Sequence, residues 1–186
     1  MTSASSKRAW CAALAFLAVG AGLPASGEAI PEGDLPQPGL VIIDKSMTAE
    51  QARKAIHAAR LFYAFWNTGD PRFARLALAA DFTDRTLPQG RPQGVGGPLF
   101  ASSNFRQAVP DLRCGIEQLI VAGDRVVAHL HFSGHFTGAF GQKQGAGQTV
   151  DFIATDILRV QDGRISENWH IEDNLTLMRQ LGVVQR

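Results

Sequence analysis

Residues 162–182 read Asp-Gly-Arg-Ile-Ser-Glu-Asn-Trp-His-Ile-Glu-Asp-Asn-Leu-Thr-Leu-Met-Arg-Gln-Leu-Gly. Asp162-Gly163 is a tight-turn signal, the next ten residues alternate as a strand, and a short apolar helix follows. Side chains on a strand repeat every two residues, so Ile165, Glu167, Trp169, Ile171 and Asp173 are expected to share one face. Ser166, Asn168, His170 and Glu172 share the other, which is polar throughout. Asp173 is thereby predicted on the apolar side beside Trp169. The alternative reading makes it the N-cap of the helix that begins near Leu175.

Working outward, the same period of two extends back to Leu112. Arg113–Ala122, Arg125–Phe136, Gln148–Val160 and Arg164–Asp173 are four candidate strands. Gly123-Asp124 and Asp162-Gly163 are turns between neighbours, so those pairs are predicted antiparallel. The Gly-rich stretch 138–147 reads as a longer hairpin loop. It does not lead from a strand into a helix, which argues against phosphate binding.

Upstream the period becomes helical. Thr48 and Gln51 form a capping box, and Ala52, Ile56, Ala59, Phe62 or Tyr63, and Trp66 recur at helical spacing. Asn67-Thr68-Gly69 ends this helix, and Asp70-Pro71 starts a second that is expected to reach about Ala80. Residues 81–98 form a long loop rich in Gly and Pro, and a third helix is expected over Leu99–Val109. Helices first and an antiparallel sheet afterwards predict an α+β domain with the helices on one sheet face. A curved sheet closing over them makes a cone with a cavity at its mouth.

The front of the chain is different in kind. Lys7-Arg8, an apolar run over residues 9–23, and small residues at Ala25, Ser26, Gly27 and Ala29 match a secretory signal peptide. The run is shorter than the roughly 20 residues of a spanning helix, an uncleaved anchor being the alternative. The expected organisation is a signal over 1–29, a Pro/Gly-rich extended linker over 30–46, and one domain over 47–186. The mature protein is expected to be exported, periplasmic or secreted, with no membrane association after signal removal.

Composition is globular, with 45% hydrophobic and 19% charged residues and a formal net charge of +1. No basic stripe interleaved with aromatics appears, so nucleic acid is not an expected partner. Cys11 lies in the signal, leaving Cys114 as the lone thiol of the domain and excluding an internal disulfide.

The alternation also assigns strand faces. In 125–136, Val126, Ala128, Leu130, Phe132 and Phe136 form an apolar face opposite Val127, His129, His131, Ser133 and His135. Imidazoles two residues apart on a strand can converge on zinc. The continuous apolar face opposite them predicts instead that they point outward, to solvent or a partner subunit, with no metal site. A bulge at Gly134 would turn His135 inward, which keeps it in reserve as a site residue. In 148–160 the even positions, Val150 to Val160, read as the inward face. Asp156 then becomes a second buried carboxylate, in need of a partner or a raised pKa. Arg85 in the long loop is a candidate partner; a hydrogen-bonded structural anchor is the alternative role for Asp156.

Asp81-Phe82-Thr83-Asp84, Ala-Val-Pro-Asp-Leu at 108–112, Ala-Gly-Asp-Arg-Val-Val at 122–127 and Gly134–Phe140 are followed by Ile157–Ile165, Glu167-Asn168-Trp169, Asp173 and Gln180-Leu181-Gly182. In that order they resemble the SnoaL-like polyketide cyclases, within the nuclear-transport-factor-2-like and ketosteroid-isomerase-like cone fold. The likeness runs from about Ala58 to Val184. Phe136 stands where the family often has histidine, and His135 is displaced to the opposite parity. Arg85 and Asn168 also stand where histidine is common.

The resemblance implies a small cone without cofactor, self-associated as a homodimer or higher oligomer through its sheet. It also implies that the aspartate near the end of the last strand, here Asp173, is the acid/base of an aldol closure. On this expectation Asp173 is catalytic, with Asp156 as a second carboxylate, and Tyr63, Trp66, Phe82, Arg85, Phe136 and Trp169 form the pocket. The expected activity is proton transfer at carbon, of aldol cyclisation or isomerisation type, on a small hydrophobic carbonyl compound. A non-catalytic binding protein for an apolar ligand is the second reading. Epoxide hydrolysis, the third, requires Asp156, Asp173 and Arg85 to converge.

Overall fold

A computed structural model describes residues 30–184. The expected signal peptide, with Cys11, lies outside the described residues.

The polypeptide opens with a 3-10 turn, Glu32–Asp34, and strand β1, Leu40–Ile43. Helix α1, Ala49–Thr68, starts at the Thr48–Gln51 capping box and ends at Gly69. There φ is +77°, a conformation that a side chain disfavours. Asp70 caps α2, Pro71–Ala77, by accepting from the Arg72 amide. Next come β2 (Leu78–Asp84), α3 (Gly96–Ala108), β3 (Arg113–Ala122) and β4 (Arg125–Phe136). The small hairpin β5 (Ala139–Phe140) and β6 (Lys143–Gln144) precedes the long strands β7 (Gln148–Gln161) and β8 (Arg164–Glu172), and α4 (Asn174–Gln180) follows.

Six strands form one sheet in the order β1-β3-β4-β7-β8-β2. The central pairs are antiparallel, while both edge strands, β1 on β3 and β2 on β8, run parallel to their neighbours. The sheet curves over α1, which packs on β3, β4, β7 and β8. Phe62, Tyr63 and Phe65 from α1 are fully buried, as are Leu119, Leu130, Leu158 and Ile165 from the sheet. Each such side chain contributes about 1.5–3 kcal/mol on leaving water. The expected α+β cone with a cavity at its mouth is the architecture found.

Two elements differ from the sequence reading. The segment 30–46 is part of the fold, because β1 pairs with β3 from Leu40↔Gln118 to Ile43↔Val121. Arg60 holds it down by donating to the Glu32 carboxylate and to the carbonyls of Glu32, Leu35 and Pro36. The second helix stops at Ala77, since Leu78 turns extended and starts a strand on β8. Local helix propensity in the Ala-rich stretch loses to sheet pairing.

One irregularity decides the site. Along the β7–β8 ladder Val160 faces Ile165, but Arg159 faces Glu167, so Ser166 is an extra residue in β8. Such a bulge inverts the parity of everything after it. Ile165 points inward; beyond Ser166 the inward residues are Asn168, His170 and Glu172, and the outward ones are Glu167, Trp169 and Ile171.

Candidate active site

The inverted half of β8 is the wall of a cavity of about 720 Å³. Much of it is apolar. Trp66 comes from α1, Phe82 from β2, Phe105 from α3, Phe132 from β4 and Phe152 from β7, with Leu177 and Met178 from α4. The Phe132 and Phe152 rings stack with centroids 5.1 Å apart and planes within 10°. Trp66 meets Phe132 edge-on at 6.1 Å, and Phe105 lies 5.9 Å from Phe152. Flat, weakly hydrated walls of this kind take up planar apolar ligands.

The polar end collects Asp84, Arg91, Asp156, Asn168, His170 and Glu172. His170 is clamped between two carboxylates, with Nδ1 2.7 Å from Glu172 Oε1 and Nε2 3.1 Å from Asp84 Oδ2. Both ring nitrogens face acceptors, so both carry protons. Burial opposes the charge, but the hydrogen bonds to and charges of Glu172 and Asp84 win, pushing the imidazolium pKa up to about 9. For Glu172, burial pushes the carboxyl up; the bond from and charge of His170 outweigh it, with help from Arg91, and hold it low.

Asp84 is fixed in turn. Its carboxylate accepts from the Thr86 amide, and the Gln93 side chain bonds both its backbone N–H and its carbonyl. The Thr86 hydroxyl accepts from the His170 amide, which ties the loop after β2 to β8.

Asp156 lies across the ladder from His170, on the inward face of β7, and is 5% exposed. The Tyr63 hydroxyl donates to its Oδ2 at 3.1 Å. Burial raises the Asp156 pKa to about 7; the His170 charge and the Tyr63 bond lower it, the Glu172 and Asp84 charges add to it. The phenol of Tyr63 is pushed well up by burial and by the Asp156 charge, so it remains a donor. A carboxyl in a cavity wall that titrates near neutrality can accept and return a proton at working pH.

Several expected site residues stand elsewhere. Asp173 is exposed, outside the cavity lining, and caps α4 by accepting from the Thr176 amide and hydroxyl. The bulge at Ser166 and the end of the strand at Glu172 put it there. Arg85 pairs with Glu167 on the outer face at 2.7 Å. Trp169 is also outside, 5.5 Å beneath the Arg125 guanidinium. Phe136 is fully buried but is not part of the cavity wall. Tyr63 sits behind the wall and reaches the site through Asp156. Trp66, Phe82 and Asp156 line the cavity. The convergence of Asp156, Asp173 and Arg85 that epoxide hydrolysis requires is absent.

The histidines of β4 face away from the cavity. His129 pairs with Thr155, His131 with Asp151, and exposed His135 with Asp111. Among the described residues no cluster of three His, Cys, Asp or Glu side chains is placed to hold a metal.

Asp84 was missed because its segment reads as loop, and His170 and Glu172 because the polar face of the last strand reads as a solvent face. The signal was its uninterrupted polarity, which equally describes a cavity wall behind a bulge.

A curved sheet over helices, with one cavity ending in coupled acid/base groups, defines the class of nuclear-transport-factor-2-like and ketosteroid-isomerase-like cones. Residues 56–181 match the family model of the SnoaL-like polyketide cyclases, and the chain belongs to that family. A Bacillus cereus protein assigned as a polyketide cyclase is 44% identical, with 84% of this chain and 97% of that one covered and a TM-score of 0.75. IdmH of Streptomyces antibioticus, also assigned as a polyketide cyclase, is 26% identical over 69% of this chain and 99% of its own, with a TM-score of 0.63. A Catenulispora acidiphila protein with the ketosteroid isomerase-like fold is 18% identical over 68% of this chain and 93% of its own, at a TM-score of 0.54, a likeness of fold alone. No protein of curated function matches the chain. Family membership supports a cofactor-independent role of cyclase or isomerase type.

Proposed function

We propose that this protein catalyses proton transfer at carbon on a hydrophobic carbonyl compound, with Asp156 as the general base and acid. The observation that carries this reading is a single carboxyl with a pKa near 7, 5% exposed, in the wall of an aromatic cavity. A carbon next to a carbonyl needs only a base of suitable pKa, a fixed pose and a place for the developing charge. Asp156 takes the proton as a carboxylate and returns it to carbon, in an isomerisation, or to the oxygen formed when the carbanion closes a ring. Tyr63 orients the carboxyl through Oδ2, leaving Oδ1 for the ligand. His170, kept protonated by Asp84 and Glu172, holds a positive charge opposite the base that offsets part of what burial and those two carboxylates add to its pKa.

Export, expected from residues 1–29, belongs to the same reading. So does self-association through the outer sheet face, supported by the exposure of Ile120, Ile153, Ile157 and Ile171 there. The test uses 2-tetralone, an aromatic-fused ketone that loses α-protons slowly by itself. Incubated in D2O with the protein, it should exchange those protons faster than in buffer. Binding of 2-tetralone without acceleration would instead favour a non-catalytic binding protein.

A further inference from the structure

Two side chains at the polar end remain without a role. Asn168 is 5% exposed and lines the cavity, and its amide makes no hydrogen bond to any described residue. Its Oδ1 is buried without a partner, and its Nδ2 donor is likewise without a hydrogen bond to any described residue. Arg91 is 22% exposed in its side chain, and its guanidinium makes one ionic contact among the described residues, Nη1 to Asp84 Oδ2 at 3.9 Å. That is longer than a hydrogen bond. Both belong to one corner, because Asn168 is the ladder partner of Asp84 in the β2–β8 pair.

A buried amide and a half-buried guanidinium, neither with a hydrogen-bond partner among the described residues, leave these donors for a ligand. The charges say which kind. The two carboxylates of the clamp are balanced by His170 and Arg91, leaving Asp156 as the charge that changes. When Asp156 takes a carbon-bound proton it becomes neutral, the C–H electron pair becomes a C=C bond, and the carbonyl pair moves onto oxygen. Negative charge thus passes from Asp156 to the ligand oxygen, with the total unchanged. The oxygen then needs donors that do not themselves titrate, and an amide and a guanidinium are such donors.

We infer that Arg91 and Asn168 form a receptor for a planar, delocalised anionic oxygen, the enolate of an aromatic-fused ketone whose rings lie against Phe132 and Phe152. The inference rests on the proton-transfer reading, and names the substrate class and the charge-holding residues of that same site.

2-Naphthol tests it without turnover, because it is a flat stable mimic whose neutral and anionic forms absorb differently. Bound to the full-length protein, it should ionise at least about one pH unit lower than in water, the anion binding about tenfold tighter than the neutral form. The same titration in the Asp156→Asn variant, which cannot share a proton with the ligand, should keep the effect. Arg91→Gln should lose most of it and Asn168→Leu part of it. Arg91→Lys, which keeps the charge, should retain most of it and so controls for folding of the loop. Asn168→Asp should reverse its direction. Failure to bind naphthol, an unshifted ionisation in the wild type, or an effect that persists undiminished in both Arg91→Gln and Asn168→Leu would overturn the receptor. Absent exchange of 2-tetralone with the naphthol effect intact would sink the proton-transfer reading alone; normal exchange with no naphthol effect would sink the receptor alone.

Discussion

Asp156 and His170 are direct partners across the β7–β8 ladder, both on the cavity side, one a carboxyl titrating near 7 and the other an imidazolium held to about 9. Between those two values the pair holds a basic carboxylate beside a fixed positive charge. The arrangement depends on one extra residue, Ser166, which turns His170 from the outer face to the inner one.

The buried carboxylate costs stability. The folded-state pKa of Asp156, about 7, lies well above the 3.8 of a free aspartate side chain. Its contribution is therefore most favourable in acid and is lost as the pH rises through about 7. Asp156→Asn should raise stability at pH 8 by on the order of 2–4 kcal/mol, the gain shrinking toward pH 4. Urea unfolding at both pH values measures this; equal effects at the two would contradict a raised pKa.

His170 has the opposite role. Its folded pKa is raised from 6.5 to about 9, so its stabilisation is full below pH 6.5 and is lost as the pH rises through 9. His170→Gln should be markedly less stable than wild type at pH 6, with the gap closing by pH 10. Parallel melting-temperature profiles for the two proteins would show that the clamp is not charged.

Tyr63 tunes the base. Its hydrogen bond favours the charged form of Asp156, and removing it leaves burial less opposed. Tyr63→Phe should move the Asp156 titration, followed by carboxyl carbon NMR, upward by about one pH unit. The rising limb of the pH–rate profile should move with it. A base that acts as the carboxylate gains activity as pH rises, so wild type should climb through about pH 7.

Asp173 should behave as a cap. Asp173→Ala removes two hydrogen bonds from the first turn of α4 and should lower the melting temperature. Its exchange activity on 2-tetralone should stay close to wild type once the protein is folded.

Much of this was legible before the structure. The Thr48–Gln51 box, the Asp70 cap, the turns at Gly123 and Gly163 and the even-position burial of β7 follow from local patterns that tertiary packing did not overrule. Asp156 was found that way, because its parity is unbroken along fourteen residues of strand. The polar triad was not, because nothing in Ile165-Ser166-Glu167 marks which residue will bulge. Asp84 was hidden for a different reason: β2 is stabilised by pairing with a strand some eighty residues later, which a local reading takes as loop. The edge strand β1 escaped likewise, its pairing to β3 lying across a Pro-rich stretch.

The most direct test compares Asp156→Asn and Asp173→Asn in the 2-tetralone exchange assay at pH 8, with 2-naphthol affinity as the check on an intact cavity. Asp156→Asn should lose at least about a hundredfold in exchange rate while still binding 2-naphthol. Asp173→Asn should lose little. The reverse result, exchange surviving without Asp156 and vanishing without Asp173, would contradict the assignment of the base.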